Sequence, residues 1–268
     1  IDTTKNVPLK TYLITTAEGN EFSGSIISQD EREVVIDTKN RGRISIPKYQ
    51  IKEMKEITSK DLTQDGDYNP EPEFASRYFI TTNGLPLKKG DNYVLWNIYG
   101  PDIQFSLSDH FGIGVMTSWV GIPIIGTAKY SFNLGKKTNM AIGALLGTGS
   151  WSAPDFGLAL PFVAFTVGDR RNNINFSGGY GAVWTDTESE GKALYSIAGI
   201  ASLGKKASLV FDSFIIPRTT NTNGYSLLIP GIRIQTHRGR FFQFGFAGIY
   251  ENGRSISAIP MIQWFTKF

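Results

Sequence analysis

The chain has no cysteine, and disulfides and thiolate metal sites are excluded with it. Histidine is nearly missing too, since only His110 and His237 occur. A hydrolase needs a His beside a Ser and a third group to orient it, and two isolated histidines give little to build with. No Gly-x-Ser-x-Gly elbow is present. A zinc site wants three or four converging ligands. Both histidines fall in short turns, where turn chemistry alone accounts for them. No catalytic residue, metal ligand or cofactor is therefore expected. No run approaches the ~18 consecutive apolar residues of a transmembrane helix. The chain opens on Ile1-Asp2-Thr3-Thr4 without a charged and then apolar leader, so export implies a signal peptide already removed. A strong charge imbalance is also lacking: the net charge is +3, which argues against a nucleic-acid partner.

What is present is glycine, at 29 residues, and aromatic residues, at 13%. The mean hydropathy is −0.15, a value shared by soluble proteins and by membrane barrels whose strands alternate apolar and polar residues. Three textures follow one another. Residues 1–57 hold short β-rich runs at Thr11–Thr16, Glu21–Ser28, Arg32–Thr38, Arg43–Ile46 and Ile51–Ile57, separated by turn signals such as Glu18-Gly19-Asn20 and Asn40-Arg41-Gly42. This pattern predicts a five-stranded meander. Its order resembles a small Sm-like or SH3-like barrel. The resembling residues are Gly19, Phe22-Ser23-Gly24, Ile26-Ile27, Val34-Val35-Ile36, Gly42 and Ile44-Ser45-Ile46-Pro47, with Ile51 after them. The resemblance implies a fold and no role, because such barrels host many functions.

Residues 58–75 contain Asp61, Asp65, Asp67, Glu71 and Glu73 against Lys60, with Pro70 and Pro72. An exposed, extended acidic linker is expected, too poor in apolar residues to build a core. Asp65-Gly66-Asp67-Tyr68-Asn69-Pro70-Glu71 resembles the start of a calcium loop, but Pro70 stands where that motif has Gly, and no distal Glu follows at the right spacing.

From 76 to 268 the period is two. Phe242, Phe244 and Phe246 share a parity opposite Gln243, Gly245 and Ala247; Ile174, Phe176, Tyr180 and Trp184 lie opposite Asn175, Ser177, Gly179 and Gly181. Period two means strands. About twelve are expected, over 77–83, 93–107, 111–119, 123–134, 138–149, 156–167, 173–185, 193–203, 207–217, 225–236, 241–250 and 255–268. A soluble sandwich also alternates, but it has no reason to sort its turns. Here Ser108–His110, Gly135–Lys137, Asp169–Arg171, Gly204–Lys206 and His237–Arg240 are tight, and four of the five carry two Lys or Arg residues. The intervening set is more varied: Gly84–Asn92, Val120–Ile122, Ser150–Asp155, Asp186–Lys192, Pro217–Gly224 and Glu251–Arg254. Tight turns on one side and longer loops on the other predict an all-β transmembrane antiparallel barrel, preceded by the small β domain on the periplasmic side.

The last strand supports this. Ile262, Trp264 and Phe268 share a parity and end on an aromatic residue, which resembles the C-terminal assembly signal of bacterial outer-membrane proteins; Thr266 departs from that signal, where an apolar or aromatic residue is more usual. Leu87-Lys88-Lys89-Gly90-Asp91-Asn92-Tyr93 and Ser108-Asp109-His110-Phe111-Gly112-Ile113-Gly114 resemble a group of Bacteroidota outer-membrane barrels in which an Sm-like domain often precedes the barrel. The resemblance implies location and fold, and no reaction.

On the inward parity lie Asp102, Lys129, Asp212, Arg233 and Lys267. Unpaired buried charge is costly, so these predict either a structural network closing a narrow lumen or a selectivity ring in a pore. Three functions are open at this level. The first is a non-enzymatic accessory subunit of an outer-membrane assembly or secretion complex, with membrane lipid and other outer-membrane or periplasmic proteins as partners. The second is a small pore or transporter. The third, with no nucleophile–base pair to support it, is a lipid-acting enzyme.

Overall fold

The computed structural model describes residues 10–268 except 59, 60, 64, 70, 71, 150–155, 220–222, 238 and 253. The loop expected over Ser150–Asp155 and the end of the calcium-like stretch, Pro70-Glu71, lie outside the described residues. The chain divides into two compact units, 1–71 and 72–268.

The first unit is a five-stranded antiparallel sheet built from β1 (Thr11–Thr16), β2 (Glu21–Gln29), β3 (Glu33–Thr38), β4 (Gly42–Pro47) and β5 (Ile51–Ile57). Its order is β4-β3-β2-β1-β5. A simple meander would leave β5 beside β4. Instead Pro47 leads into a single 3-10 turn, Lys48–Gln50, that carries the chain across to β1, where Thr11 faces Ile57. Ile14, Val34, Ile36 and Ile46 form the core, with Phe22, Ile26, Ile44 and Ile51 packed around them.

The acidic linker expected over 58–75 is not an extended connection. Leu62 bridges Tyr68, and Thr63 N–H donates to the Asp67 carbonyl at 2.8 Å. This turn joins the small sheet through Ser23 Oγ, which donates to the Gly66 carbonyl at 2.7 Å, and Asn40 Nδ2, which donates to Asp67 Oδ1 at 2.8 Å. Backbone and side-chain hydrogen bonds, rather than apolar burial, order it. At the other end, Phe74 and Ala75 are buried in the second unit.

The second unit is a closed barrel of twelve antiparallel strands. They are β6 (Tyr93–Asn97), β7 (Gly100–Ser106), β8 (Phe111–Thr117), β9 (Ile124–Gly135), β10 (Thr138–Thr148), β11 (Gly157–Gly168), β12 (Asn172–Trp184), β13 (Ser189–Ser202), β14 (Ala207–Ile216), β15 (Tyr225–His237), β16 (Arg240–Glu251) and β17 (Arg254–Lys267). β17 closes on β6, from Gln263 opposite Asn97 to Lys267 opposite Tyr93. Closure removes both sheet edges, which a lipid environment requires. The end at which β6 begins and β17 finishes is called the base, and the opposite end the loop end.

The number of strands matches the expectation, but two of its terms change. The segment 77–83 is not a wall strand; it folds inward. The stretch 93–107 is not one strand but the hairpin β6–β7. Gly100 makes that hairpin possible: its φ is +153°, and a Cβ there would stand 2.0 Å from the Thr117 carbonyl oxygen.

Alternation sorts the two faces as expected. Ile113, Val115, Ile142, Val163, Phe165, Ile174, Phe176, Ile197, Phe211 and Phe246 are exposed on the outside. Trp96 and Trp119 stack near the loop end with ring centres 6.0 Å apart, and Trp184 lies at the same end. Tyr130, Phe111 and Phe268 face out toward the base. An apolar belt flanked by aromatic residues is what a bilayer solvates.

Candidate functional site: a hairpin held inside the barrel

Residues 74–87 occupy the lumen. Phe74, Ala75, Tyr78, Phe79 and Leu85 are buried, with Ser76, Thr81 and Asn83. The segment makes its own tight turn: Arg77 bridges Thr82, and Tyr78 N–H donates to the Thr81 carbonyl at 3.0 Å. A two-residue-wide hairpin inside a barrel leaves most of its backbone polar groups without sheet partners. Each must find one in the wall, because an unpaired buried amide or carbonyl costs about 1–3 kcal/mol.

The inward-facing charges supply those partners. Asp212, fully buried on β14, caps the hairpin tip: its carboxylate accepts from Ile80 N–H at 2.7 Å, Thr81 N–H at 2.9 Å and Thr81 Oγ1 at 2.7 Å. Arg233 on β15 collects carbonyls, donating to Phe74 at 3.0 Å and Arg77 at 2.6 Å, while its Nε donates to Gln243 Oε1 at 2.6 Å. Its guanidinium also lies 4.8 Å from the centre of the Phe265 ring. Lys129 on β9 donates to Thr82 Oγ1 at 3.1 Å and the Asn83 carbonyl at 3.0 Å. Asp102 on β7 forms an ion pair with Arg77 of the hairpin and accepts from Gln104.

Four of the five expected lumen charges therefore face the lumen, yet they do not form a ring with one another. They bind the hairpin. Lys267, the fifth, pairs with Asp91 at the base rim and stands 35% exposed, so it takes no part in the interior. Gln243 and Gln263 complete the seat. They face each other across β16 and β17, Gln243 Nε2 donates to Gln263 Oε1 at 3.0 Å, and Gln263 Nε2 donates to the Phe79 carbonyl at 2.8 Å. Thr166 and Asn175 accept and donate on the opposite wall, where Gly84 N–H reaches Thr166 Oγ1 at 2.7 Å. These neutral residues carry no charge signal. They were visible only as lone polar side chains on an inward parity, as in Phe242-Gln243-Phe244 and Ile262-Gln263-Trp264.

Packing matches the polar seat. Phe79 lies against Gly231 and Gly245, paired across β15 and β16; a Cβ on either would stand 2.4 or 2.6 Å from the ring tip. Phe74 meets Tyr93, Phe241 and Phe265 with ring centres 5.1–5.2 Å apart. At the base, Glu73 accepts from Gly239 N–H at 2.8 Å, and Arg170 donates to the Pro86 carbonyl at 2.7 Å.

Beside the hairpin, from the base ends of β6–β8 toward the loop end, lies a cavity of about 140 Å³. Its wall includes Met116, Leu145, Leu160, Phe162, Leu194 and Phe214.

The remaining sequence candidates are not brought together. His110 Nδ1 lies 3.0 Å from the Ser131 carbonyl, and His237 is exposed at the base. Among the described residues, no group of three or more His, Asp or Glu is placed to hold a metal. Ile262, Trp264 and Phe268 all face outward on or just after β17, and Phe268 packs edge-on to Phe105 at 5.9 Å.

A closed, even-numbered antiparallel barrel with an apolar belt outside and a hydrogen-bonded interior is the architecture of an outer-membrane β-barrel. The chain matches no protein-family model and no curated protein. Among solved structures it is similar to the NanC porin, at 7% identity and a TM-score of 0.46, over 66% of this chain and 98% of that one. It is also similar to OmpT, an outer membrane protein of Vibrio cholerae, in a form lacking loop L8, at 10% identity and a TM-score of 0.42 over 97% of both chains.

Proposed function

We propose that this protein is a plugged outer-membrane barrel: its lumen is a closed binding compartment rather than an open aqueous pore. The observation that carries this reading is the hairpin 74–87, whose backbone is satisfied group by group from Asp212, Arg233, Lys129, Gln243 and Gln263. A segment that merely drifted into a channel would leave such groups to water. The same residues that suggested a selectivity ring are spent on holding the closure, so ions meet no free charge ring in the base half. In this reading the base, with its tight basic turns, faces the periplasm, and the small five-stranded unit is a periplasmic domain. A pore function requires the hairpin to move.

Planar-bilayer recording tests the proposal. The full chain is expected to give silent bilayers, and a chain lacking 76–87 to give steady ion steps. Steady conductance from the intact protein would overturn it.

The reading as an accessory subunit of an assembly or secretion complex draws on one feature, the separate N-terminal unit. Native purification in mild detergent decides it: a stoichiometric outer-membrane companion supports the subunit role, and a monomer counts against it. The lipid-acting enzyme finds no support in the positions of His110 and His237.

A further inference from the structure

The cavity beside the hairpin is lined more by apolar than by polar surface. A water-filled barrel presents polar side chains inward. Here the wall toward the loop end is mostly apolar, with Met116, Leu145, Leu160, Phe162, Leu194 and Phe214, while Gln104, Thr127 and Ser177 are its polar wall positions. The chain thus spends apolar residues on both faces of the wall in this half, where alternation needs them on one. An apolar concavity with a few convergent polar groups is the usual form of a small-molecule site.

The polar groups are at its floor. Ser196 on β13 is 4% exposed, and its Oγ has no hydrogen-bond partner among the described residues. Arg77 has its Nε buried without a partner among the described residues, while its Nη2 is engaged by Asp102. Lys129 is buried and donates to the neutral oxygens of Thr82 and Asn83, and among the described residues no carboxylate pairs with it. All three line the cavity. Two unmet donors and one ammonium without a counter-ion are an incomplete site, since a buried cation is tolerated when an anion and hydrogen bonds complete its shell. From Lys129 to the start of β9 at Ile124 the wall runs roughly 16 Å, enough for an extended tail of medium length.

We propose that the loop-end half of the lumen binds a single-chain amphiphile with an anionic head. The head is a carboxylate or phosphate held by Arg77 Nε, Ser196 Oγ and Lys129 Nζ, and the tail lies along Met116, Leu145, Leu160, Phe162, Leu194 and Phe214. This rests on the plugged-barrel reading, because the hairpin supplies the floor.

The test uses the full chain in nanodiscs of zwitterionic lipid, with empty nanodiscs as reference. Carboxyl-labelled decanoate is titrated and followed by NMR, beside decyl phosphate, decanol and acetate. Decanoate or decyl phosphate is expected to bind saturably, decanol and acetate far more weakly. Leu194→Trp fills the cavity and is expected to abolish binding. Ser196→Ala touches none of the bonds that hold the hairpin and is expected to weaken it about tenfold, as is Lys129→Met. Folding of each variant is checked by heat-modifiable gel mobility. Absence of saturable binding, equal binding by wild type and Leu194→Trp, or decanol binding as tightly as decanoate would each overturn the proposal. Silent bilayers without ligand binding would remove the ligand and keep the plugged barrel. Steady conductance from the intact chain would remove the plugged barrel whatever binds.

Discussion

The base half and the loop-end half of the lumen stand on the same strands and the same two-residue alternation, yet they face inward with different chemistry. In the base half the inward side chains include Arg233, Gln243 and Gln263, with Asp212, Lys129 and Asp102 at its upper border, and the chain's own hairpin fills the space between them. In the loop-end half they are Leu145, Leu160, Phe162, Leu194 and Phe214, and nothing of the described chain fills it. The difference teaches that alternation alone decides only which face a residue occupies. What that face does is set by which inward residues are polar and by whether their polar atoms are met. In the base half the polar groups of Arg233, Gln243 and Gln263, with Asp212, are met by the hairpin and by one another, so it reads as structure. The loop-end half has unmet donors at its floor, so it reads as a site.

The comparison breaks most sharply at Asp212. Asp212→Ala leaves two amides and a hydroxyl of the hairpin tip without their acceptor and is expected to destabilise the barrel by about 4 kcal/mol, read as a lower urea midpoint. Asp212→Asn keeps one accepting oxygen and should lose about half as much. An unchanged midpoint in Asp212→Ala would mean that the hairpin does not depend on the wall. Phe79→Ala opens a hole against Gly231 and Gly245 and is expected to cost about 3 kcal/mol by the same measurement. In the other half, Leu160→Ala borders space that is already empty and should cost about 1 kcal/mol or less. A loss as large as that of Phe79→Ala would show that the two halves are packed alike.

The smallest effect lies outside both halves, in the N-terminal unit. Asp30 accepts from Arg32 N–H at 2.7 Å and Glu33 N–H at 2.8 Å. The bonds from Glu33 and Arg32 hold its carboxyl below its ordinary value of 3.8. Its contribution is therefore fully present above that value and is lost as pH falls through the lower folded value. Asp30→Ala should lower the melting temperature of this unit slightly at neutral pH and leave it nearly unchanged in strong acid. A constant difference across pH would show that the carboxylate's charge plays no part.

How far the sequence disclosed this follows from where side chains compete. The long strands β9–β17 were legible because each sends one parity to lipid and the other inward, and no third environment interferes. The hairpin was not legible. Tyr78-Phe79-Ile80-Thr81-Thr82 has strand-like composition, but Tyr78 and Phe79 are both fully buried, as no lipid-facing strand allows. β6 and β7 read as one strand because each alternates and only two residues separate them. The clue was a change of parity: Tyr93, Leu95 and Asn97 face inward, then Gly100, Asp102 and Ser106. The two differences offset each other, so the expected and observed numbers of wall strands agree. At the site, the charged inward residues were visible, and their partner was not, because the partner is a distant segment of the same chain.

The central claim is that residues 74–87 rest inside the barrel. Because the chain has no cysteine, Ala75→Cys places one thiol at a position that is 1% exposed. Labelling with a water-soluble maleimide in the folded, membrane-held protein is predicted to be negligible, and to rise to full modification when Asp212→Ala is added. Rapid, complete labelling of Ala75→Cys alone would contradict the account, because the hairpin would then lie outside the lumen.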